Sequence, residues 1–198
     1  MSDRTTKERI LDAAEELMLE KSFHSVGLNE ILKAVRVPKG SFYHHFESKE
    51  QFGVEMLKHY VAESTAYKSK LLLSPTPEPD PLLRLVTYLE SNVCRTLESE
   101  GKCPCLVIKL ASEVADFSEP MREVLAQGTR EWVAIFEKLL LEGVQKGKMA
   151  ACIEPSIMAP VILDLWTGAM HRASTTRNVA SLREAIAFLK SILSPSQV

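Results

Sequence analysis

Residues 10–52 read ILDAAEELMLEKSFHSVGLNEILKAVRVPKGSFYHHFESKEQF, and this stretch carries the clearest structural signal in the chain. Apolar residues recur in it at helical spacing, with a break at FHSVG and another at the Val37-Pro38 pair. A helix is expected to end before Pro38, because the residue preceding a proline is disfavoured in the helical conformation. The pattern therefore predicts three short helices, at residues 5–21, 28–35 and 38–45.

Three short helices with a tight turn before the third match the plan of a helix-turn-helix, whose recognition helix enters the major groove of DNA. Phe42 and Phe46 lie four residues apart and are expected to anchor the buried face of the third helix. Its exposed face then carries polar groups that can approach phosphates and base edges, namely Lys39, Gly40, Ser41, Tyr43, His44 and His45. The alternative is an ordinary three-helix core with a solvated polar face.

The charge of the whole chain does not identify a nucleic-acid-binding protein. The 198 residues include 24 Lys and Arg against 26 Asp and Glu, which gives a formal net charge of −2. The balance differs between residues 33 and 49. This window holds four basic residues (Lys33, Arg36, Lys39 and Lys49) and one acidic residue, Glu47. This basic cluster favours DNA binding if the fold turns it outward.

The same residues carry a resemblance to a known family. The block Lys39-Gly40-Ser41-Phe42-Tyr43-x-x-Phe46-x-x-Lys49 and the helices before it resemble the DNA-binding domain of the TetR family of transcriptional repressors. The resemblance covers about residues 4–60. It implies that Lys49 contacts a phosphate, that Asn29 touches DNA from the second helix, and that the exposed residues of the third helix contact bases and phosphates.

Two positions depart from the family pattern. The family usually has glycine at the helix-turn-helix turn and after the first helix, where this chain has Arg36 and Ser22. Glycine accepts a positive φ freely, whereas Arg36 in that conformation would cost about 1 kcal/mol. The sequence thus predicts a mildly strained turn at Arg36.

The rest of the chain also has the pattern of helices. SPTPEPDP at residues 74–81 has four prolines in eight residues and cannot be helical, so it ends the long helix before it. Capping boxes at Thr5-x-x-Glu8, Ser48-x-x-Gln51 and Ser181-x-x-Glu184 predict three helix starts. We expect an all-α protein of about nine helices, with a helix-turn-helix domain at 1–48, a connecting helix at 49–73, and a ligand-binding and dimerisation domain at 74–198.

The family resemblance implies that the last helices pack against a partner's copies and that the C-terminal domain binds an inducer. The apolar stripe at residues 182–193 and the apolar segment at 155–170 suit a dimer interface, with an intramolecular core as the alternative. A two-fold dimer matches a palindromic operator. The residues that could line the pocket, or belong to the ordinary core, are Tyr67, Tyr88, Trp132, Phe136, Trp166 and Met170.

Two of the four cysteines, Cys103 and Cys105, stand at a predicted helix start, where exposed N–H groups favour the reactive thiolate. Residues 105–122, CLVIKLASEVADFSEPMR, also resemble a TetR subgroup that senses electrophiles and oxidants through cysteine, the N-ethylmaleimide-responsive type. That resemblance implies that Cys105 is the sensor and Cys103 its partner, while Ser174 stands where that type has a lysine. The alternative is a buried thiol that packs as a small hydrophobe.

Other classes of protein have weaker support. No apolar run is long enough for a transmembrane helix and no signal peptide is visible, so we expect a soluble cytoplasmic protein with reduced thiols. No Gly-rich phosphate loop, HExxH or G-x-S-x-G motif indicates an enzyme. A thiol-dependent enzyme would need a base near Cys105, for which His171 is the candidate.

A metal-sensing regulator is the remaining alternative. Four of the five histidines lie in the first 60 residues, at His24, His44, His45 and His59. Cys-x-Cys alone is a weak zinc signal, since structural zinc sites pair two such elements. We therefore predict no metal and no cofactor, and a homodimeric repressor that leaves its palindromic operator when a small-molecule inducer binds or a cysteine is modified.

Overall fold

The computed structural model describes residues 4–195, and over that range the chain forms nine α-helices and no strand. The predicted all-α fold of about nine helices is confirmed. No helix in the described range is both long and apolar enough to cross a membrane. The helices are α1 (Thr6–Glu20), α2 (Leu28–Val35), α3 (Lys39–His45), α4 (Lys49–Leu73), α5 (Pro81–Glu98), α6 (Leu106–Val114), α7 (Glu119–Gln145), α8 (Pro155–Thr176) and α9 (Ala180–Leu193).

The helices fall into two compact units. Within the described residues, 4–63 form the first unit together with 105–128, and 64–104 form the second together with 129–195. In the first unit α1 packs against α2 and α6, and in the second α9 packs against α5 and α8. The compact units therefore differ from the predicted boundaries at 48 and 74, because α6 folds with the N-terminal helices. The functional division of the chain stays a prediction.

Of the three predicted capping boxes, the first is formed in full and the second in part. At α1 the Thr5 hydroxyl accepts from Glu8 N at 3.2 Å, and the Glu8 carboxylate accepts from Thr5 N at 2.7 Å. At α4 the Ser48 hydroxyl accepts from Gln51 N at 3.0 Å, although the Gln51 side chain returns to Glu47 N rather than to Ser48 N. Half of the second box is thus formed.

The third predicted cap is wrong. The last helix begins at Ala180 with Val179 before it, and Val179 makes no side-chain cap. Ser181 is buried, and its hydroxyl donates to the carbonyl of Ala169 in α8 at 2.8 Å. The contact with a neighbouring helix satisfies this hydroxyl in place of the local cap that the sequence pattern indicated.

The turn between α2 and α3 has the predicted left-handed residue. Arg36 has φ 55° and ψ 43°, and two backbone bonds close the turn, from Val37 N to Leu32 O (3.0 Å) and from Arg36 N to Lys33 O (3.3 Å). These bonds satisfy carbonyls that the end of a helix leaves unpaired. Among the described residues other than glycine, Arg36, Glu100 and Arg177 have a positive φ. Ser22 is not one of them, so the second position that departs from the family pattern is not left-handed.

Arg36→Gly is expected to raise the free energy of unfolding by about 1 kcal/mol, because glycine removes the left-handed penalty. Arg36 is exposed, so little packing is lost. Urea unfolding followed by circular dichroism measures the change. Lys33→Gly is the matched control: Lys33 is exposed and helical in α2, just before the turn, and this variant should lower stability by about 1 kcal/mol. Equal losses in both variants would contradict the account of the turn.

Candidate nucleic-acid interface and sensor segment

Helix α3 is anchored to the first unit by aromatic packing. Phe42 and Phe46 are each 1% exposed, and their ring centroids lie 4.9 Å apart. Phe52 of α4 completes the cluster, with its ring 5.2 Å from that of Phe42 and 5.0 Å from that of Phe46. The predicted buried face of α3, formed by Phe42 and Phe46, is confirmed. Because this face is buried, the other residues of the helix face outward.

The outward face of α3 holds the predicted polar residues. Tyr43 is 56% exposed, and the Lys39 ammonium lies 6.0 Å from the centroid of its ring. Gly40 is exposed, and an added Cβ there would meet no atom within 4 Å, so packing within the chain does not require glycine. The remaining members of the predicted set are exposed (Asn29, His44) or partly buried (Ser41, His45).

Lys49 is the first residue of α4, as the phosphate-contact prediction requires, but its ammonium is engaged within the chain. Its Nζ donates to the Val26 carbonyl at 3.3 Å and lies 5.1 Å from the Phe23 ring centroid. Lys49 therefore holds the segment between α1 and α2 in addition to its proposed contact with DNA.

The predicted sensor, Cys105, is the residue immediately before α6. It is partly buried, and the N–H of the next residue, Leu106, donates to the Tyr60 hydroxyl at 3.2 Å. Cys103 is also partly buried, whereas Cys94 and Cys152 are exposed. No disulfide joins these four cysteines, all of which lie in the described range.

Helix α6 binds the end of α1 and the loop that follows it. The Lys109 ammonium donates to the Leu19 carbonyl, at 2.5 Å. The Glu113 carboxylate accepts from the backbone N–H groups of Phe23 and His24 at 3.1 and 3.0 Å, and Nδ1 of His24 lies 2.9 Å from Oε1. Burial alone raises the pKa of Glu113, but the hydrogen bonds from His24 and Phe23 outweigh it and lower that pKa below its usual value.

Sequence reasoning assigned no role to Glu113. The partners of Glu113 precede it by about 90 residues, so no local pattern indicates the contact. Hydrogen bonds to a charged group contribute about 1.5–3 kcal/mol each. The helix that begins next to Cys105 is therefore firmly attached to the helix-turn-helix.

Most of the predicted pocket-lining residues are buried in the second unit. The Tyr88 and Phe136 rings lie 6.4 Å apart, and the Met170 sulfur accepts from the Thr96 hydroxyl at 3.7 Å. Trp132 and Trp166 are also buried, whereas Tyr67 is exposed on α4. Their part in ligand binding stays a prediction.

The sequence did not single out Lys68, which is 7% exposed on α4. Its ammonium lies 3.5 Å from the Trp132 ring centroid and donates to the Ser64 hydroxyl at 2.6 Å. Trp132 Nε1 in turn donates to Thr65 Oγ1 at 3.0 Å. A lysine four residues after a serine on a helix is too common to reveal such a cluster.

Helices α8 and α9 carry the segments predicted to form a dimer interface, and each exposes apolar side chains outside the predicted stripe. The stripe itself is buried within the chain, as the intramolecular-core alternative expects, at Leu182, Ala185, Ile186, Leu189 and Leu193. Ile157 on α8 is 66% exposed and Phe188 on α9 is 52% exposed. An open groove of about 420 Å³ runs between these two helices, with Gly168, Ala185 and Phe188 among its lining residues. Exposed apolar side chains of this size gain stability when a partner covers them.

Comparison with known proteins identifies two matching family models. Residues 10–56 match the model described as bacterial regulatory proteins, tetR family, and residues 81–189 match the tetracyclin repressor-like C-terminal domain. The chain is 35% identical over 198 residues to the HTH-type transcriptional repressor NemR of Escherichia coli K12, covering 100% of this chain and 98% of that one. The repressor DhaR of Mycobacterium sp. GP1 is 28% identical over 196 residues, which cover 99% of this chain and 96% of that protein. The crystal structure of reduced E. coli NemR superposes with a TM-score of 0.87 at 34% identity, covering 98% of this chain and all of that one.

Proposed function

Since the chain belongs to the TetR family of bacterial transcriptional regulators, we propose that it is a homodimeric repressor of a palindromic operator, released by modification of Cys105. The proposal that the protein binds DNA rests on one observation, the outward face of α3. Three phenylalanine rings hold this helix, and Lys39, Tyr43 and His44 are left exposed on it. The proposed site of action is the cytoplasm, where operator DNA lies.

The dimer is proposed to form through α8 and α9. Their exposed apolar residues, Ile157 and Phe188, support this assignment because apolar side chains of that size gain stability when a partner covers them. Two recognition helices then reach successive major grooves if they are about 34–36 Å apart. An inducer acts by favouring a dimer in which that spacing is lost.

Covalent modification is the proposed trigger. The Cys105 thiolate adds to the carbon–carbon double bond of a quinone or maleimide, forming a C–S bond, and the adjacent carbanion takes up a proton. The reagent is consumed once per thiol and is not turned over, so this is regulation and not catalysis.

Helix α6 supports a route from this trigger to DNA. It begins next to Cys105, and its Lys109 and Glu113 hold Leu19, Phe23 and His24 of the helix-turn-helix. An adduct at the start of α6 displaces that helix, and the polar contacts transmit the displacement to α1 and its loop. Coupling between sites typically amounts to about 1–3 kcal/mol.

An anisotropy titration tests the proposal as a whole. Labelled DNA from the gene's own upstream region is titrated with reduced protein, and the titration is repeated after N-ethylmaleimide treatment and at raised salt. We expect tight, salt-dependent binding by the reduced protein and its loss on treatment. If N-ethylmaleimide leaves the affinity for DNA unchanged, the proposal of a repressor stands and the proposal of a thiol trigger is refuted.

A further inference from the structure

Two helices of the first unit bring together four side chains that can ligate metal ions. Asp12 and Glu15 are three residues apart on α1, and His59 and Glu63 are four apart on α4, so each pair lies on one face of its helix. One ligand atom from each of Glu15, His59 and Glu63 lies within 4.8 Å of the other two. Asp12 Oδ1 and Glu63 Oε1 lie 3.2 and 3.6 Å from His59 Nε2.

The cluster is dominated by carboxylates, of which Asp12 and Glu15 are partly buried. Three of its four members are carboxylates, and Arg4 offsets some of the charge through an ion pair with Asp12. Glu15 Oε1 is inaccessible to solvent and accepts no hydrogen bond within residues 4–195. A buried acceptor without a donor is costly, and a cation is the partner that would satisfy it.

We propose that Glu15, His59 and Glu63 form a binding site for a divalent first-row metal ion, with Asp12 adding negative charge beside it. One imidazole with carboxylates suits Mn²⁺, Fe²⁺ and Zn²⁺, and sites of this kind are built from facing helices in other folds. A bound ion joins α1 to α4 and therefore stabilises the helix-turn-helix. The inference does not depend on the operator or on Cys105.

This site departs from the sequence expectation of no metal. The expectation weighed cysteine spacing and the four N-terminal histidines, but only His59 of those four lies in the cluster. Its partners on α1 and α4 are far apart in the sequence, so no motif joins them. Side-chain contacts between α1 and α4, such as those of Lys7 with Glu55 and of Asp12 with His59, bring them together.

Electron paramagnetic resonance of Mn²⁺ tests the proposal on the full-length protein. Free Mn²⁺ gives a signal that disappears on binding, and Mn²⁺ favours oxygen and nitrogen ligands over the thiolates of this chain. We expect one equivalent per chain, with binding at least tenfold weaker in Glu15→Gln and in His59→Gln. Glutamine keeps the shape of Glu15 and removes a buried charge, so that variant is expected to fold, which circular dichroism verifies.

The matched control is His171→Gln, an exposed histidine on α8 outside the cluster, which should bind Mn²⁺ as the parent does. Added Mn²⁺ should also raise the melting temperature of the parent and leave that of Glu15→Gln unchanged. Failure of the parent to bind stoichiometric Mn²⁺ would overturn the proposal. So would equal binding by the parent and both cluster variants.

Discussion

Tyr43→Ala is expected to weaken operator binding by about 30-fold or more while leaving the protein folded. Tyr43 is 56% exposed on α3, so its removal changes the free energy of unfolding by no more than about 0.5 kcal/mol. A groove contact is worth about 1–3 kcal/mol, and a dimer loses it in both half-sites, so affinity falls by about 30-fold or more. Anisotropy titration with urea unfolding of the same samples separates the two effects.

Tyr67→Ala is the matched control, because Tyr67 is also an exposed tyrosine but lies in the part of α4 that belongs to the second unit. It should bind the operator as the parent does. Lys49→Ala is also expected to lose operator binding, but it breaks the bond to the Val26 carbonyl and so combines two effects. Normal binding by Tyr43→Ala would refute the assignment of α3 as the recognition helix.

Cys105→Ser is expected to bind the operator normally and to remain bound after treatment with a maleimide or quinone. Serine is nearly isosteric with cysteine but is a poor nucleophile at neutral pH, so the variant keeps the fold and loses the reaction. The parent should lose about 100-fold in affinity on treatment, near the upper end of allosteric coupling. Mass spectrometry of intact protein counts the adducts in each sample.

Cys94→Ser and Cys152→Ser provide controls for modification elsewhere, since both cysteines are exposed and will react. Each should carry one adduct fewer than the parent and still leave the DNA on treatment. Release of treated Cys105→Ser from the operator would show that another thiol is the sensor. Cys103→Ser then becomes the decisive variant.

The periodicity of residues 10–52 was sufficient to predict the first three helices and their buried phenylalanines, and the resemblance to the TetR family implied the left-handed turn at Arg36. These features depend on neighbours within four residues, which a sequence displays directly. Features made by distant partners were not predictable. The contact of Glu113 with His24 and the cluster around His59 depend on which helices meet. Ser181 failed as a cap because a carbonyl on α8 satisfies its hydroxyl.

The attachment of α6 to the loop after α1 limits how regulators of this kind can be recombined. A chimaera that joins residues 1–63 of this chain to the remainder of a relative would separate Glu113 from the N–H groups of Phe23 and His24. If α6 transmits the signal as proposed, such a hybrid is expected to fold a recognition helix whose DNA affinity no longer responds to the inducer. Exchanging residues 105–128 together with the N-terminal segment keeps the connection, so the transferable module is discontinuous in sequence.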